Sequence, residues 1–386
     1  MRPQRALAVL ALLLPIAFIS TSAGIAGAAT TAGTTTTGSY TEPGGLTRDF
    51  RLHLPPGPAR PGRPVVVFLH GCNQTAAQAE AASRFSELAD AEDFIAVYPQ
   101  QVQAQNSSAP LADGNGIGCW NWFLPEDQQR GAGEPAVLAG LTRHVVAEQQ
   151  ADAGRVYVEG ISAGADMSVI LGATYPDVFA AVGSLAGCAY STCADLTGAL
   201  TNAAMGPRAR VVPIFAENGT ADTLNPAPQS AALVQSYLGA DDMADDGSAN
   251  GSVDRTAQTT PYAPDGTPNP GGGDPCVHNN TWTCPGGALG LSNYPYTVST
   301  YAGDLAELWL VYGMAHAQPH SPPTAPNEGG PYTDPLGPDV TKASYEFFLR
   351  HPMPTAPVLP EVPVTALLPV AALLVGGLVV WRRRTS

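Results

Sequence analysis

Val156-Tyr157-Val158-Glu159-Gly160-Ile161-Ser162-Ala163-Gly164-Ala165-Asp166-Met167 decides how the rest of the chain is read. A short β-branched and aromatic run leads into G-x-S-x-G, and a helical pattern continues to about Tyr175. A turn this tight strains the serine backbone. Glycines two positions before and after the serine let strand and helix approach without Cβ clashes. The hydroxyl is then lifted to the tip of a sheet, at the start of a helix. Alone the motif is weak evidence; between a strand and a helix it reads as a nucleophile elbow.

A serine hydroxyl needs a base, and the base needs an orienting carboxylate. Beyond the elbow, the strand-like run Val211 to Phe215 is followed by Asn218-Gly219-Thr220-Ala221-Asp222. The run Leu308 to Tyr312 is followed by Gly313-Met314-Ala315-His316. Both loops fall at the carboxyl ends of strands, where open sheets place their sites. Asp222 is the expected orienting acid and His316 the expected base; their rivals are Asp304, before the last strand, and His320, four residues on. The oxyanion needs two backbone donors. Ala163, after the nucleophile, offers one, and Cys72, in the loop His70-Gly71-Cys72-Asn73 after the run ending at Leu69, offers the other. His70 itself reads as a buried histidine bracing that loop rather than as a base.

The same rhythm extends to both sides. Val65 to Leu69, Phe94 to Tyr98 and Val182 to Ala186 are short apolar runs, and Thr75 to Glu92, Gly133 to Gln150, Ala227 to Leu238 and Asp339 to Arg350 have helical character. Runs buried on both faces that alternate with helices imply an α/β fold, a mostly parallel sheet covered by helices on both faces. One catalytic domain is expected over residues 40–352, interrupted at 240–290 by an acidic, Gly-, Asn- and Pro-rich inserted loop region. Residues 30–39, rich in Thr and Gly, read as a flexible segment. Gly118-Cys119-Trp120-Asn121-Trp122-Phe123 brings three aromatics together; Trp120 and Trp122 suit either an apolar substrate or core packing.

The ends read as addresses. A basic start, an apolar stretch from Ala6 to Ile19 and Ala26-Gly27-Ala28 form a signal peptide over residues 1–29. At the other end a Pro-rich spacer, 353–363, precedes an apolar segment, 364–381, and the cytoplasmic tail 382–386 with its three arginines. About 1.5 Å per residue makes that segment just long enough to span a bilayer. The expectation is an exported body on the extracellular face, held to the membrane by this segment; cell-wall attachment or release are the alternatives, since Leu359-Pro360-Glu361-Val362-Pro363 departs from a sorting motif. Six cysteines in an exported chain read as disulfides, with fifteen possible pairings. Cys188 and Cys193 are close enough in sequence to staple a loop, and so are Cys276 and Cys284, which leaves Cys72 with Cys119. No C-x-x-C occurs, which argues against a zinc ribbon.

The chain has 386 residues, 44% hydrophobic and 13% charged, enough for a sizeable core. Net charge is −15; with Arg2, Arg5, Arg382, Arg383 and Arg384 set aside, thirteen cations face 33 acids, or −20. A body this acidic argues against nucleic acid or anionic lipid as partner.

His70-Gly71-Cys72-Asn73-Gln74, Cys119 to Phe123 with Gln129-Arg130-Gly131 and Gly133-Glu134, the elbow through Met167, Gly313 to His316, and Gly337-Pro338 before a helix ending Phe347-Phe348 together resemble the polyhydroxybutyrate depolymerase-type esterases. The resemblance runs from about Tyr40 to His351. It implies an α/β-hydrolase fold, a triad of Ser162, Asp222 and His316, an oxyanion hole at Cys72 and Ala163, and no metal or cofactor. It implies hydrolysis of carboxylic esters through an acyl-serine: polymeric or oligomeric 3-hydroxyalkanoate esters, or alternatively feruloyl or acetyl esters on xylan. A non-catalytic surface binding protein on the same scaffold is a further alternative, and an acyltransferase or peptidase on the same fold is another. Asn218-Gly219 stands where the family commonly has His-Gly.

Overall fold

The structure, a computed structural model, describes residues 32–102, 114–269, 294–320 and 332–354. Ten strands form one sheet: β1 (Thr34–Thr41), β2 (Thr47–Leu54), β3 (Val65–Leu69), β4 (Ile95–Pro99), β5 (Val156–Gly160), β6 (Ala181–Leu185), β7 (Ile214–Gly219), β8 (Gln258–Tyr262), β9 (Tyr296–Tyr301) and β10 (Ala306–Val311). Their order is β1-β2-β4-β3-β5-β6-β7-β10-β9-β8. The middle of the sheet, β4 through β10, is parallel; β1, β2, β9 and β8 extend it antiparallel on both sides.

The helices are α1 (Ala76–Ser83), α2 (Phe85–Glu92), α3 (Gly133–Glu148), α4 (Ala163–Thr174), the single turn α5 (Tyr190–Cys193), α6 (Ala199–Met205), α7 (Ala227–Asp246) and α8 (Val340–Arg350). The run from Thr75 to Glu92 is two helices rather than one, because Arg84 takes a left-handed φ of 59° between them. Thr75 and Gln78 form a reciprocal capping box that starts α1.

Side chains alternate across a strand, so one strand feeds two cores. Val65, Val67 and Leu69 of β3 join Leu138 of α3, Met167 of α4 and Leu233 of α7 on one face. Val66 and Phe68 join Phe85 of α2 and Phe347 of α8 on the other. Every residue of β3 through β7 is buried, as strands covered on both faces must be.

Three expectations change. The 30–39 segment is not flexible throughout: residues from Thr34 onward form β1, paired with β2 over eight positions from Thr34↔Leu54 to Thr41↔Thr47. Threonine favours extended backbone, and Thr35 Oγ1 also bonds the buried His53 at 2.9 Å. The inserted region begins later than residue 240, since α7 continues to Asp246, and it contributes β8 to the sheet. The antiparallel strands β1, β2, β8 and β9 have no counterpart in the sequence reading. The signal peptide, the segment 364–381 and the tail 382–386 lie outside the described residues, as does the spacer 353–363 from residue 355 onward. Cys276 lies outside them too, and so does Cys284, so the third expected disulfide has no described counterpart. Among the described residues no helix is long and apolar enough to cross a membrane.

Two buried acids sit on the α8 face of the central strands. Burial pushes the Glu159 carboxyl up to about 8, outweighing the nearby Ser344 hydroxyl. Glu217 is raised well above the usual range by burial, then by Asp222 and Glu159, and neither of its oxygens has a hydrogen-bond partner. A carboxyl held protonated in the fold stabilises it fully below its unfolded pKa and loses that contribution as pH rises through the folded value. The thermal midpoint should therefore fall between pH 5 and about pH 8.5, and Glu159→Gln should flatten that fall. Unfolding curves across this window check it; identical pH slopes in both proteins would show that Glu159 is not held protonated.

Candidate active site

Backbone crowding builds the elbow. A Cβ on Gly160 would lie 2.5 Å from the Gly164 carbonyl carbon, and one on Gly164 would lie 2.2 Å from Leu69 O. Only glycine permits α4 to start this close to β3 and β5. Ser162 between them is forced to φ 56°, ψ −125°, a region non-glycine residues rarely occupy. Its N–H donates to Leu185 O at 2.9 Å, and its carbonyl accepts from Asp166 at 3.0 Å. Ser162 is only half-buried, and Ala163 is the first residue of α4, so the Ala163 amide has no acceptor within the helix.

The carboxyl ends of β7 and β10 lie side by side, with Val311 opposite Gly219. Beyond them the two loops are stitched together: Thr220 N–H to Val311 O at 2.9 Å, Ala221 N–H to Met314 O at 2.9 Å, and Gly313 N–H to Thr220 Oγ1 at 3.0 Å. A Cβ on Gly219 would meet Met314 O at 2.2 Å, which explains the glycine there. This stitching brings His316 Nδ1 to 2.6 Å from Asp222 Oδ2, with both side chains almost fully buried. Asp222 Oδ1 accepts from the Leu224 and Asn225 amides at 2.8 and 2.9 Å. A carboxylate that accepts at Nδ1 fixes the tautomer and leaves Nε2 as the basic nitrogen. Asn218 braces the acid loop from behind, donating to Asn225 O at 2.8 Å and Ser230 Oγ at 3.0 Å.

What the structure pairs directly is His316 with Asp222. Ser162 stands on the same edge of the sheet, at the end of β5, with β6 between β5 and β7. The rivals go elsewhere: Asp304 meets Arg350 at 3.6 Å and His351 at 3.5 Å, and His320 lies 3.7 Å from Asp339. Tyr332 packs edge-on against the His316 ring at 5.5 Å, a contact no sequence signal announced.

The loop after β3 runs against the elbow, since a Cβ on Gly71 would come 3.4 Å from Ser162 Cβ. Cys72, next in the chain, is bonded to Cys119, and Cys188 to Cys193, as expected for both pairs. The expected bond of Cys276 to Cys284 is not one of these two, because Cys284 and Cys276 fall in the stretch beyond residue 269 that the structure does not describe. His70 is fully buried; its Nε2 accepts from the Gln101 amide at 3.1 Å, and its Nδ1 faces Gly71 O at 2.8 Å. A backbone N–H only donates, so Nδ1 carries the proton. Burial pushes the imidazole down to about 4, so it stays neutral and braces the loop, as the sequence suggested.

Trp120 is not a substrate contact. Its ring is wholly buried beside His70, and its Nε1 donates to His70 O at 3.0 Å. Trp122 is half-buried against the core, and Phe123 is the exposed ring of this segment. Glu134, part of the family resemblance in the sequence, has a structural part that the sequence reading did not assign. Buried at the start of α3, it accepts from Arg48 at 3.1 Å, from the Asn121 amide at 2.7 Å and from Gln101, which also donates to Cys119 O at 2.8 Å. Burial pushes its carboxyl up to about 7 against the pull of Arg48.

A family model described as Esterase PHB depolymerase matches residues 48–240, half of the chain. The chain belongs to that family. It is 33% identical over 287 residues to poly(3-hydroxyalkanoate) depolymerase C of Paucimonas lemoignei, a match covering 72% of this chain and 60% of the relative. Feruloyl esterase B of Neurospora crassa is 32% identical over 136 residues, 35% of this chain and 42% of the relative. Probable acetylxylan esterase A of Aspergillus fumigatus is 30% identical over 152 residues, 38% and 37%. The matches thus span less than two thirds of the length of these curated relatives. Among solved structures, an acetyl xylan esterase from Aspergillus awamori superposes with a TM-score of 0.52 at 18% identity, covering 73% of this chain and 94% of that one. The fold is that of an α/β-hydrolase.

The disulfide between Cys72 and Cys119 ties the loop beside Ser162 to the segment that Glu134 and Gln101 hold. Replacing both cysteines by serine should lower kcat/KM by on the order of tenfold to a hundredfold, because small misplacements at a reacting centre cost that much. Steady-state kinetics on a soluble ester, beside an unfolding curve that stays cooperative, measure it. Unchanged kinetics would show that the bond does not position this loop.

Proposed function

We propose that this protein is a serine hydrolase of carboxylic esters, with Ser162 as nucleophile, His316 as general base and Asp222 as its orienting acid. The observation that carries the reading is the His316–Asp222 pair at 2.6 Å on the sheet edge where the strained Ser162 stands. His316 Nε2 takes the Ser162 proton as Oγ bonds to the ester carbonyl carbon. The oxyanion is held by the Ala163 and Cys72 amides. His316 then gives that proton to the leaving alkoxide, and the alcohol departs from an acyl-serine. Water attacks next, its proton passing to His316, and the acid leaves as Ser162 regains its hydrogen.

The substrate we favour is a 3-hydroxyalkanoate polyester or its oligomers, because a match covering 72% of this chain is to a poly(3-hydroxyalkanoate) depolymerase. Feruloyl or acetyl esters of xylan are the second reading, supported by shorter matches to a feruloyl esterase and an acetylxylan esterase. Action outside the cell is part of the proposal, since disulfides persist in oxidising compartments and two are formed here.

Ser162→Ala should abolish turnover of a p-nitrophenyl ester and labelling by a fluorophosphonate while the unfolding curve is kept. Asp222→Asn should lower kcat by about 10⁴, the loss expected when the base is held in the wrong tautomer. Retained turnover in Ser162→Ala would refute the nucleophile. Rates on 3-hydroxybutyrate oligomers beside rates on feruloylated and acetylated xylo-oligomers decide the substrate: faster release from the xylan esters would overturn the polyester reading.

A further inference from the structure

We propose that Glu134 is a positioning residue for ester cleavage, a role that rests on the esterase reading. Its carboxylate pins the segment 115–121, and through that segment the Cys72 amide, at the place where the oxyanion forms. Glu134 itself touches no substrate in this role.

The segment behaves as one unit. Asn115 Nδ2 donates to Cys119 O and to Asn121 Oδ1, both at 2.7 Å, and Asn115 Oδ1 accepts from the Cys119 amide at 3.0 Å. This unit meets the loop after β3 at three points. Asn73 N–H donates to Ile117 O at 2.8 Å, Trp120 Nε1 donates to His70 O at 3.0 Å, and Cys119 is bonded to Cys72. The loop in turn lies on the elbow, where a Cβ on Gly71 would sit 3.3 Å from Ile161 O and 3.4 Å from Ser162 Cβ. A shift of the unit is therefore a shift of the Cys72 amide relative to Ser162.

Glu134 ties the unit to the body of the fold. The Asn121 amide donates to it at 2.7 Å and Asn121 Nδ2 at 3.3 Å. Gln101, two residues beyond β4, donates to it from the same Nε2 that reaches Cys119 O at 2.8 Å. Arg48 of β2 donates at 3.1 Å. Four nitrogens thus converge on one carboxyl group, and a carboxylate, which only accepts, answers all of them. A carboxamide would turn an NH₂ toward the same donors. Stability gives little reason for this choice, because a buried ion pair replaced by apolar groups of similar volume is often neutral or stabilising. The carboxylate instead holds the unit at hydrogen-bond length. That matters at an oxyanion hole, whose donors count only when aimed at the charge that develops in the transition state.

Steady-state kinetics of the full-length Glu134→Gln protein on a p-nitrophenyl ester test this. The kcat is counted per Ser162 labelled to completion by a fluorophosphonate, so unfolded protein is not scored. A donor missing from an oxyanion hole costs about 10²–10³ in kcat. A displaced donor should cost about tenfold to a hundredfold, with KM changed by less than about twofold, because ground-state binding does not use it. Gln101→Ala should do the same, and it stands in if Glu134→Gln does not unfold cooperatively. The loss in the double variant should fall short of the product of the two, since both act through Cys119. Wild-type kcat per labelled site in both variants, a raised KM at unchanged kcat, or losses that multiply would overturn the proposal while the esterase reading stands. A wild-type protein that neither turns over the ester nor takes the label would overturn that reading and the proposal with it.

Discussion

The close approach of Leu69, Gly160 and Gly164 is the constraint from which the rest of the site follows. Three backbones meet where a single added Cβ would overlap a carbonyl. That contact fixes where α4 begins and bends Ser162 into its strained conformation, at a cost of order 1–3 kcal/mol. The cost is small beside the packing that imposes it. Burying one valine, leucine or phenylalanine contributes about 1.5–3 kcal/mol, and β3, made only of such residues, is buried from end to end. From Ser162 the geometry is handed across the strand ends. Its N–H reaches Leu185 O, the next residue Ala186 reaches Glu217 O, and Asn225 bonds both Ala186 O and Asp222 Oδ1. The serine and acid loops are thus linked through backbone groups and the Asn225 side chain, and the bonds of Ala221 to Met314 and of Gly313 to Thr220 carry the link on to the imidazole loop.

The loop after β3 is held by different means. It has no regular structure of its own, so its polar groups need specific partners, and each buried group left without one costs about 1–3 kcal/mol. His70 meets this need from both nitrogens, and only as the neutral imidazole; protonated, it would aim a second N–H at the Gln101 amide. Trp120 closes the loop from one side through the His70 carbonyl. Glu134 gathers Arg48, Gln101 and Asn121 on the other, and the Cys72–Cys119 bond joins the two halves covalently. The result is a braced loop beside the serine, held by side chains that lie outside the proposed triad.

What the sequence made legible follows from the range of the interactions involved. The elbow, the parallel strands and the loops bearing Asp222 and His316 are local patterns: a strand, a glycine, a turn. Each leaves its mark within about ten residues. The antiparallel margins are invisible at that range, because β1 gains its strand character from pairing with β2 and β8 from pairing with β9. Four threonines in a row look like low complexity until a partner strand is present. The tryptophans show the same limit: Trp120 and Trp122 are alike in sequence, yet one is sealed by the His70 carbonyl and the other is half-buried at the core's margin. Glu134 is the sharpest case, because its three partners come from β2, from the end of β4 and from the loop after the disulfide.

Carboxyl groups in this molecule are sorted by the donors around them. Surface acids dominate a body of net charge −20 once the terminal arginines are set aside, and they need no partners because water solvates them. Beneath the surface the same group meets two fates only five residues apart. Three N–H groups converge on Asp222, two from the backbone and one from His316, and such a set matches a carboxylate, which only accepts. Glu217, on the strand leading to it, has no donor at either oxygen, and burial favours its protonated form. Were Glu217 to ionise, a second negative charge would stand beside Asp222 in a low-dielectric interior, and the imidazole would answer two carboxylates instead of one. Keeping Glu217 neutral therefore leaves Asp222 to set the charge that His316 feels. The placement of donors, more than the placement of acids, decides which carboxyl orients the histidine.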